Sequence, residues 1–280
     1  MGTYLSSPDR RRERENGKNF WTSSMRGWRV SMEDQHIADP DFGEDMALYA
    51  VFDGHGGPKV SEFCQRNFGR VLKSQPAFVQ GRYEAALEGA FLEIDRLLTQ
   101  SPQNVFSFQS GCTTLVVLRV GRRLYVANAG DSRCLVFRSD GQILQMNIEH
   151  KPYLPEEFAR ISNAGGLVVN GRINENLNLS RAIGDLDYKR NETLPPEQQM
   201  ISALPEVVVK DLEPEDEFML LGCDGVYEVL TDVSLREVVY ENMTQSNGDA
   251  ALDEIFDRTL SAAQTSFSGK DNMSAILVKL

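Results

Sequence analysis

Five short acidic segments lie far apart in the chain, and most of them begin or end an apolar run. Their carboxylates are Glu33 and Asp34 in RVSMEDQH, Asp53 in VFDGHGG, Asp131 in ANAGDSR, Asp224 in LGCDGVYE and Asp271 in GKDNMSA. A strand that ends in such a segment carries the carboxylate out of the core, and an adjacent glycine leaves space beside it. Mg²⁺ and Mn²⁺ prefer hard oxygen ligands, with positions left open for water and phosphate. The pattern therefore predicts a hard-metal site assembled from several strand ends.

Two further residues could act on a phosphate beside such a site. Arg29 lies four residues before Glu33, and a planar guanidinium can bind a phosphate through two parallel hydrogen bonds. His55 follows Asp53 and Gly54, and an imidazole with a pKa near neutrality can donate a proton to a leaving oxygen. The alternatives are a solvated surface arginine and a histidine that caps a turn.

Turn formation is the structural alternative for any lone aspartate, because its side chain hydrogen-bonds the local backbone. That alternative does not account for Asp53, Asp224 and Asp271 together. It fits Asp131 better, since Gly130-Asp131-Ser132 could be an ordinary turn between two strands. We expect the other two histidines, His36 and His150, to be structural.

Short apolar segments rich in β-branched residues predict the strands that would position these side chains. They are Met46–Phe52, Thr114–Val120, Leu124–Ala127, Cys134–Phe137, Phe218–Leu221 and Ser274–Val278. Val120-Gly121-Arg122-Arg123 is typical of a hairpin turn. The run from Thr113 to Phe137 therefore predicts an antiparallel meander.

Apolar residues at helical spacing predict four helices. The segments are Val60–Leu72, Tyr83–Leu98, Ser234–Asn242 and one that carries Leu252, Ile255, Phe256, Leu260 and Ala263. Strands follow strands in this chain, and the helices do not alternate strictly with them. This order favours an α+β fold over a doubly wound parallel sheet.

Composition limits the classes of function. The chain has 280 residues, 41% of them hydrophobic, and a formal net charge of −12. No apolar run approaches the roughly 20 residues of a membrane span, and the acidity argues against a nucleic-acid-binding surface. Residues 1–18 are polar and charged, which predicts a flexible tail. Residues 19–280 then form one domain, and without a coiled-coil heptad we expect a monomer.

Cysteine usage and the N-terminus bear on the location of the protein. The four cysteines are widely spaced, and the chain has neither a CxxC pair nor a secretory signal. We therefore expect reduced, buried thiols and a cytoplasmic protein. Met1-Gly2-Thr3-Tyr4-Leu5-Ser6 fits the pattern for myristoylation at Gly2. One acyl chain beside a weakly basic segment would give reversible membrane association; the alternative is a flexible tail with unmodified Gly2.

The motifs occur in a specific order along the chain: RVSMED, VFDGHGG, SGCTT, ANAGDSR, EHKP, LSRAIGD, CDGV and KDNMS. This ordered set resembles the metal-dependent PP2C (PPM) family of protein serine/threonine phosphatases, from about Trp21 to Leu280. The resemblance implies a β-sandwich of two antiparallel sheets flanked by helices, in four αββα layers. It also implies hydrolysis of phosphoserine and phosphothreonine in proteins by a water activated at two Mg²⁺ or Mn²⁺ ions.

The resemblance assigns ligands to those ions. Asp53 bridges the two ions, Asp224 and Asp271 complete the shell of the first, and the Gly54 carbonyl serves the second. Glycine at this position lets the backbone approach an ion without an intervening Cβ.

The resemblance also implies roles for residues around the ions. Glu33 acts through a metal-bound water, and Asp34 orients a nearby water. Arg29 holds the phosphate, and His55 is the general acid. A third, weaker ion lies near Asp131, shared with Asp224.

Two features separate this chain from the family pattern or bear on its substrates. Tyr227-Glu228 stands where the family has Trp-Asp, and the longer carboxylate could shift the coordination of a third ion. The segment from Asp187 to Pro205 lies where the family has its variable substrate-side flap.

The alternative functions are a pseudophosphatase or scaffold of the same fold, and a two-metal nuclease or phosphodiesterase. The retained carboxylates count against the first, and the acidic charge counts against the second.

Overall fold

Two antiparallel sheets form the centre of the protein in a computed structural model that describes residues 4–100, 106–245, 247–264 and 269–280. In spatial order, the first sheet contains β1 (Tyr4–Glu13), β2 (Phe20–Arg29), β14 (Met273–Lys279), β13 (Asp216–Gly222), β7 (Arg133–Arg138) and β8 (Ile143–Gln145). The second contains β12 (Glu206–Asp211), β6 (Arg123–Ala129), β5 (Gly111–Val120), β4 (Met46–His55) and β3 (Gln35–Gly43), with β11 (Ile183–Gly184) paired to β5.

Helices cover the outer faces of both sheets. In chain order, the helices of the described residues are α1 (Lys59–Ser74), α2 (Pro76–Val79), α3 (Tyr83–Gln100), α4 (Pro155–Asn163), α5 (Asp224–Tyr227), α6 (Asp232–Met243) and α7 (Gly248–Ala262). The pair α1 and α3 packs on the second sheet, whereas α6 and α7 pack on the first. A two-stranded hairpin of β9 (Val168–Val169) and β10 (Arg172–Ile173) lies outside the sheets. The result is the predicted four-layer sandwich.

Alternation along β4 shows how one strand serves two cores, because successive side chains of a strand point to opposite faces. Tyr49 and Val51 are buried in the core between the sheets. Ala50 and Phe52 are buried against the helices. The Phe52 ring lies 6.0 Å from the ring of Phe68 on α1. This double burial makes β4 a rigid support for the polar residues at its end.

The six predicted strands and four predicted helices are all present. The remaining strands of the described residues, β1–β3 and β8–β12, were missing from the prediction. In β2 the buried positions include Thr22, Ser23 and Ser24 beside Phe20 and Met25. Because buried hydroxyl side chains interrupt the apolar pattern, hydrophobicity alone does not reveal such a strand.

The predicted antiparallel meander from Thr113 to Phe137 is wrong in its last strand. β6 pairs with β5 and β12, whereas β7 lies in the other sheet between β13 and β8. The chain crosses between the sheets at Gly130, whose φ is +136° and where an added Cβ would collide with Thr113. His150 stabilises the crossing, because its Nδ1 accepts a hydrogen bond from the Gly130 backbone N–H at 3.3 Å.

The flexible tail predicted for residues 1–18 also differs from the structure. Tyr4–Glu13 forms β1, the edge strand of the first sheet, and pairs with β2. Arginines of this segment pair with aspartates of α7 more than 230 residues away in sequence. Local composition could not predict this strand, because its charged partners lie in a distant helix. Gly2 lies outside the described residues, and its acylation stays a prediction.

Two other expectations concern thiols and membrane spans. All four cysteines are free and buried, as predicted. Within the described part of the chain, each helix is too short or too polar to cross a lipid bilayer.

Candidate active site

A cavity of about 270 Å³ lies where the acidic strand ends of both sheets converge. Arg29 ends β2, the Asp53-Gly54-His55 segment ends β4, and Asp131 follows β6. Asp224 follows β13 by two residues, and Asp271 precedes β14. All of these residues and Glu33 line the cavity. Residues that are far apart in sequence therefore form one polar wall.

Asp34 is the exception among the predicted site residues, because it is buried behind the cavity rather than on its wall. Ligand atoms of Asp34, Asp53 and Cys223 lie within 4.8 Å of one another. Burial and nearby carboxylates raise the pKa of the Cys223 thiol well above its usual range, so the thiol stays protonated. Asp34 and Asp53 are thus the two oxygen donors at this point.

The carboxylates in and behind the cavity wall repel one another. Burial raises the pKa of Asp53 well above its usual range, and the charges of Asp34, Asp224 and Asp271 raise it further. Burial and the charge of Asp131 likewise raise the pKa of Asp224. Burial is also the main cause that raises the pKa of Asp34 to about 7. Such a cluster favours protons or cations over free carboxylates.

Unpartnered oxygens in the same cluster fit a divalent cation. Asp34 Oδ2 and Asp224 Oδ1 are buried and have no hydrogen-bond partner among the described residues. A buried ionised oxygen without a partner is costly. A hard cation satisfies such an oxygen and offsets the repulsion between carboxylates at once. The residues present therefore fit the Mg²⁺ or Mn²⁺ that the resemblance implies.

Glu33 is held rigidly at the edge of the cavity. Its carboxylate accepts hydrogen bonds from Ser31 Oγ at 2.6 Å and from the Gly57 backbone N–H at 3.0 Å. Its own backbone N–H donates to Asn272 Oδ1 at 2.9 Å. Asn272 Nδ2 donates to the carbonyls of Arg26 and Ser31. Asn272 thereby fixes the loop that carries Glu33.

Arg29 is anchored to one of the carboxylates. Its Nη2 donates to Asp271 Oδ2 at 2.5 Å. Burial raises the pKa of Asp271, although the charge of Arg29 opposes this effect. The side chain of Arg29 remains 35% exposed, so an incoming anion can reach it.

His55 pairs with Asp185, a residue that we did not predict as part of the site. His55 Nε2 lies 2.7 Å from Asp185 Oδ2. Burial alone lowers the pKa of His55, but the charge and hydrogen bond of Asp185 outweigh burial and raise it. Asp185 has a φ of +52° and is buried. A Cβ at residue 111 would collide with its carboxylate, so Gly111 makes room for the pair.

Comparison with known proteins agrees with this geometry. A family model described as Protein phosphatase 2C matches residues 19–272. The chain belongs to the protein phosphatase 2C family. The Paramecium tetraurelia relative "Probable protein phosphatase 2C 5" is 42% identical and covers 99% of this chain and 99% of its own. "Protein phosphatase 2C homolog 3" of Schizosaccharomyces pombe is 40% identical, over 100% of this chain and 70% of the relative.

A solved structure supports the same assignment. The crystal structure of a phosphatase from a pathogenic strain of Toxoplasma gondii has a TM-score of 0.77 to this chain and 27% identity. The match covers 95% of this chain and 96% of the other. The protein is accordingly a PP2C-type protein serine/threonine phosphatase, from a family that uses divalent metal ions and acts on phosphoproteins.

The surroundings of the expected third ion hold charged and polar partners of their own. The Asp131 carboxylate forms an ion pair with Lys151. Glu228 Oε2 accepts a hydrogen bond from the Gly269 backbone N–H at 2.8 Å. Asp131 and Glu228 thus already have partners, whereas Asp224, which was expected to share the third ion, has a buried oxygen without a partner among the described residues. The role of Asp131 as a ligand stays a prediction.

The PP2C motif LSRAIGD contains the one signal that could have identified Asp185. The motif ends in Gly184-Asp185, a pair similar to the Asp-Gly segments of the other carboxylates. Its Gly184 backbone N–H is bonded to the buried carboxylate of Asp95 at 2.8 Å. The sequence shows the motif, whereas the proximity to His55 depends on how β11 pairs with β5.

Proposed function

We propose that this phosphatase hydrolyses phosphoserine and phosphothreonine at a centre of two divalent ions, Mg²⁺ or Mn²⁺. One observation carries the proposal: half-buried carboxylates from different strand ends raise each other's pKa beside an arginine and a histidine. Asp53 would hold both ions. Asp224 and Asp271 would complete the coordination of the first ion, and the Gly54 carbonyl would bind the second ion. When bound, such ions supply Lewis acidity, which lowers the pKa of water and offsets charge on phosphoryl oxygens.

Asp34 and Glu33 support this centre in different ways. Asp34 lies close enough to Asp53 to share an ion or to hold a water beside one. Glu33 is already fixed by Ser31 and Gly57, which favours its predicted action through an intervening water. Rigid donors of this kind cost little reorganisation when charge develops in the transition state.

Arg29 and His55 supply the remaining chemistry. The Arg29 guanidinium binds and orients the phosphate at the rim, and Asp271 holds it in place. The Nε2 of His55 is engaged by Asp185, so the proton available for a leaving serine or threonine oxygen is the one on Nδ1. Because Asp185 raises the pKa of His55, the imidazole keeps that proton to a higher pH than a free imidazole would.

A substrate assay tests this proposal. The purified protein should hydrolyse a phosphothreonine peptide with Mn²⁺ and stop when EDTA removes the ion. A pseudophosphatase would bind the peptide without turnover. A phosphodiesterase would instead hydrolyse bis(p-nitrophenyl) phosphate faster than the peptide. Turnover of the peptide that persists in EDTA would contradict the metal centre.

Replacing Asp185 by asparagine should slow phosphopeptide hydrolysis by about tenfold or more, within the range of a general acid. Without the carboxylate, burial dominates and lowers the pKa of His55. A general acid must be protonated, so the alkaline limb of the pH–rate profile should move to lower pH. The measurement is kcat against pH for the wild type, Asp185→Asn and His55→Ala.

The leaving group provides the control for this prediction. Aryl phosphates have good leaving groups and need less protonation, so both variants should lose less activity on p-nitrophenyl phosphate than on the peptide. Equal losses on the two substrates would count against a general acid at His55.

A further inference from the structure

The ring of Tyr4 lies against two cations beside the candidate active site. The Arg29 guanidinium carbon is 5.9 Å from the ring centroid, and Lys270 Nζ is 5.6 Å from it. Tyr4 is also the residue that pairs with Arg29 in the ladder between β1 and β2. The β1 end of the chain therefore reaches the phosphate-binding arginine directly.

We propose that Tyr4 is a positioning residue that holds the Arg29 guanidinium in the orientation that binds substrate phosphate. This inference rests on the proposed role of Arg29. Tyr4 is absent from the residues that line the cavity, so within the described structure it would act through Arg29 rather than on the substrate.

Arg29 needs such a second contact. Among the described residues, the Arg29 side chain has one hydrogen bond, from Nη2 to Asp271, and a single bond leaves the plane of the guanidinium free to turn about it. The side chain is 35% exposed, and its buried Nε has no hydrogen-bond partner among the described residues, so no second hydrogen bond fixes the plane. Two parallel hydrogen bonds to a phosphate require a defined plane. A cation is attracted to the face of an aromatic ring, and the Tyr4 ring thus limits the turn.

Ion pairs hold β1, and with it Tyr4, in place. No residue of β1 is fully buried, so the strand has no apolar anchor. Alternate residues of a strand share a face, and residues four apart in a helix share a face. The arginines and aspartates follow these two spacings: Arg10 pairs with Asp257, Arg12 with Asp253 and Asp257, and Arg14 with Asp249 and Asp253.

A second ion pair fixes the middle of the strand. Arg26 Nη2 of β2 lies 2.5 Å from Asp9 Oδ2, and Arg11 binds the same carboxylate at 2.6 Å. These two arginines hold the pKa of Asp9 well below its usual range. Single surface ion pairs contribute little, but a connected set can fix a segment. The ladder with β2 and these charges, which lie away from the cavity, together set the position of Tyr4.

Steady-state kinetics on a phosphothreonine peptide with Mn²⁺ tests the inference. Tyr4→Ala should raise KM about two- to fivefold, the size of an exposed cation–π contact, and leave kcat almost unchanged because the arginine binds ground and transition states alike. Tyr4→Phe keeps the ring face and should restore the wild-type KM. Tyr4→Leu keeps bulk without the ring and should behave like Tyr4→Ala. The exposed Tyr153, replaced by alanine, is the matched control and should leave KM unchanged.

Arg29→Ala separates failure of this inference from failure of the proposed function. If Arg29→Ala raises KM and Tyr4→Ala does not, Tyr4 has no positioning role while the role of Arg29 stands. If Arg29→Ala leaves KM unchanged, the proposed phosphate contact itself is wrong. In the Arg29→Ala background, Tyr4→Ala should add nothing. A further rise in KM in that background would overturn the inference. A KM for Tyr4→Phe as high as that of Tyr4→Ala would overturn it too.

The ion pairs of β1 give an independent test. Asp253→Asn with Asp257→Asn leaves Tyr4 and the cavity intact but weakens the attachment of the strand. KM should rise in the same direction as for Tyr4→Ala, by a smaller factor, and added Tyr4→Ala should have less effect than in the wild type. If the effects of the aspartate replacements and of Tyr4→Ala on KM multiply fully, the ion pairs do not act through Tyr4.

Discussion

Phosphothreonine-peptide hydrolysis should fall by about a thousandfold or more in Asp53→Ala, because metal ions contribute several kcal/mol to such a reaction. Asp53 is the residue on which the most other carboxylates act, since the charges of Asp34, Asp224, Asp271 and Asp131 all raise its pKa. It therefore lies at the centre of the charge cluster, where one side chain can serve both ions. Initial rates with saturating Mn²⁺ measure the effect.

Asp224→Ala should show a loss of similar size, because its unpartnered buried oxygen belongs to the same centre. Asp41→Ala is the matched control: Asp41 is an exposed carboxylate of β3 outside the cavity, and its removal should leave the rate unchanged. Calorimetric titration with Mn²⁺ should show lost binding in Asp53→Ala. Unaltered Mn²⁺ binding, or full activity in Asp224→Ala, would refute the proposed ligand set.

Misfolding would not explain the loss. Removing one of several mutually repelling carboxylates relieves repulsion, so metal-free Asp53→Ala should melt no lower than metal-free wild type. A variant that is inactive, folded and no longer stabilised by Mn²⁺ is the expected combination.

Without metal, the cavity carboxylates should make the protein less stable as the pH rises from about 4 to about 7. The pKa of Asp34 is raised to about 7, and those of Asp53, Asp224 and Asp271 are also raised. Carboxyls of the unfolded chain titrate near 4. Between these values the folded state binds more protons than the unfolded state, so the free energy of unfolding falls with rising pH. For Asp34 alone the loss is on the order of 4 kcal/mol.

Carboxylates elsewhere act in the opposite direction. Burial opposes the effect of Arg181 and Arg160 on Glu157, but these arginines lower its pKa to about 2. Glu157 therefore contributes stability above its unfolded pKa and loses it as the pH falls. The contribution of the cavity carboxylates to stability is isolated by subtracting the melting temperature in EDTA from that in saturating Mg²⁺ at each pH.

The melting temperature in Mg²⁺ minus that in EDTA should grow from pH 4 to pH 7, because Mg²⁺ replaces the protons that the carboxylates would otherwise need. Asp34→Asn removes one of these groups and should reduce the growth, whereas Asp41→Asn should not. A difference independent of pH would contradict the repulsion described for the cavity.

Local chemistry accounts for what could be predicted from the sequence alone. Strands such as Met46–Phe52 and helices such as Tyr83–Leu98 follow from side-chain periodicity within a few residues. The proposed ligands Asp53, Asp224 and Asp271 were found because each lies close to the start or the end of an apolar run. The order of the motifs then identified the family. These signals are short in sequence, so no knowledge of packing was required.

The remaining features depend on contacts between distant segments. The crossing at Gly130, the strand Tyr4–Glu13 and the burial of Asp34 all arise from how the two sheets and α7 pack. Asp185 reaches His55 across 130 positions of sequence, and Tyr4 reaches Arg29 through strand pairing. The sequence determined which groups could bind metal and phosphate. Only the tertiary structure decided which neighbours set their charge and orientation, because pKa values and side-chain orientations depend on burial and distance in space.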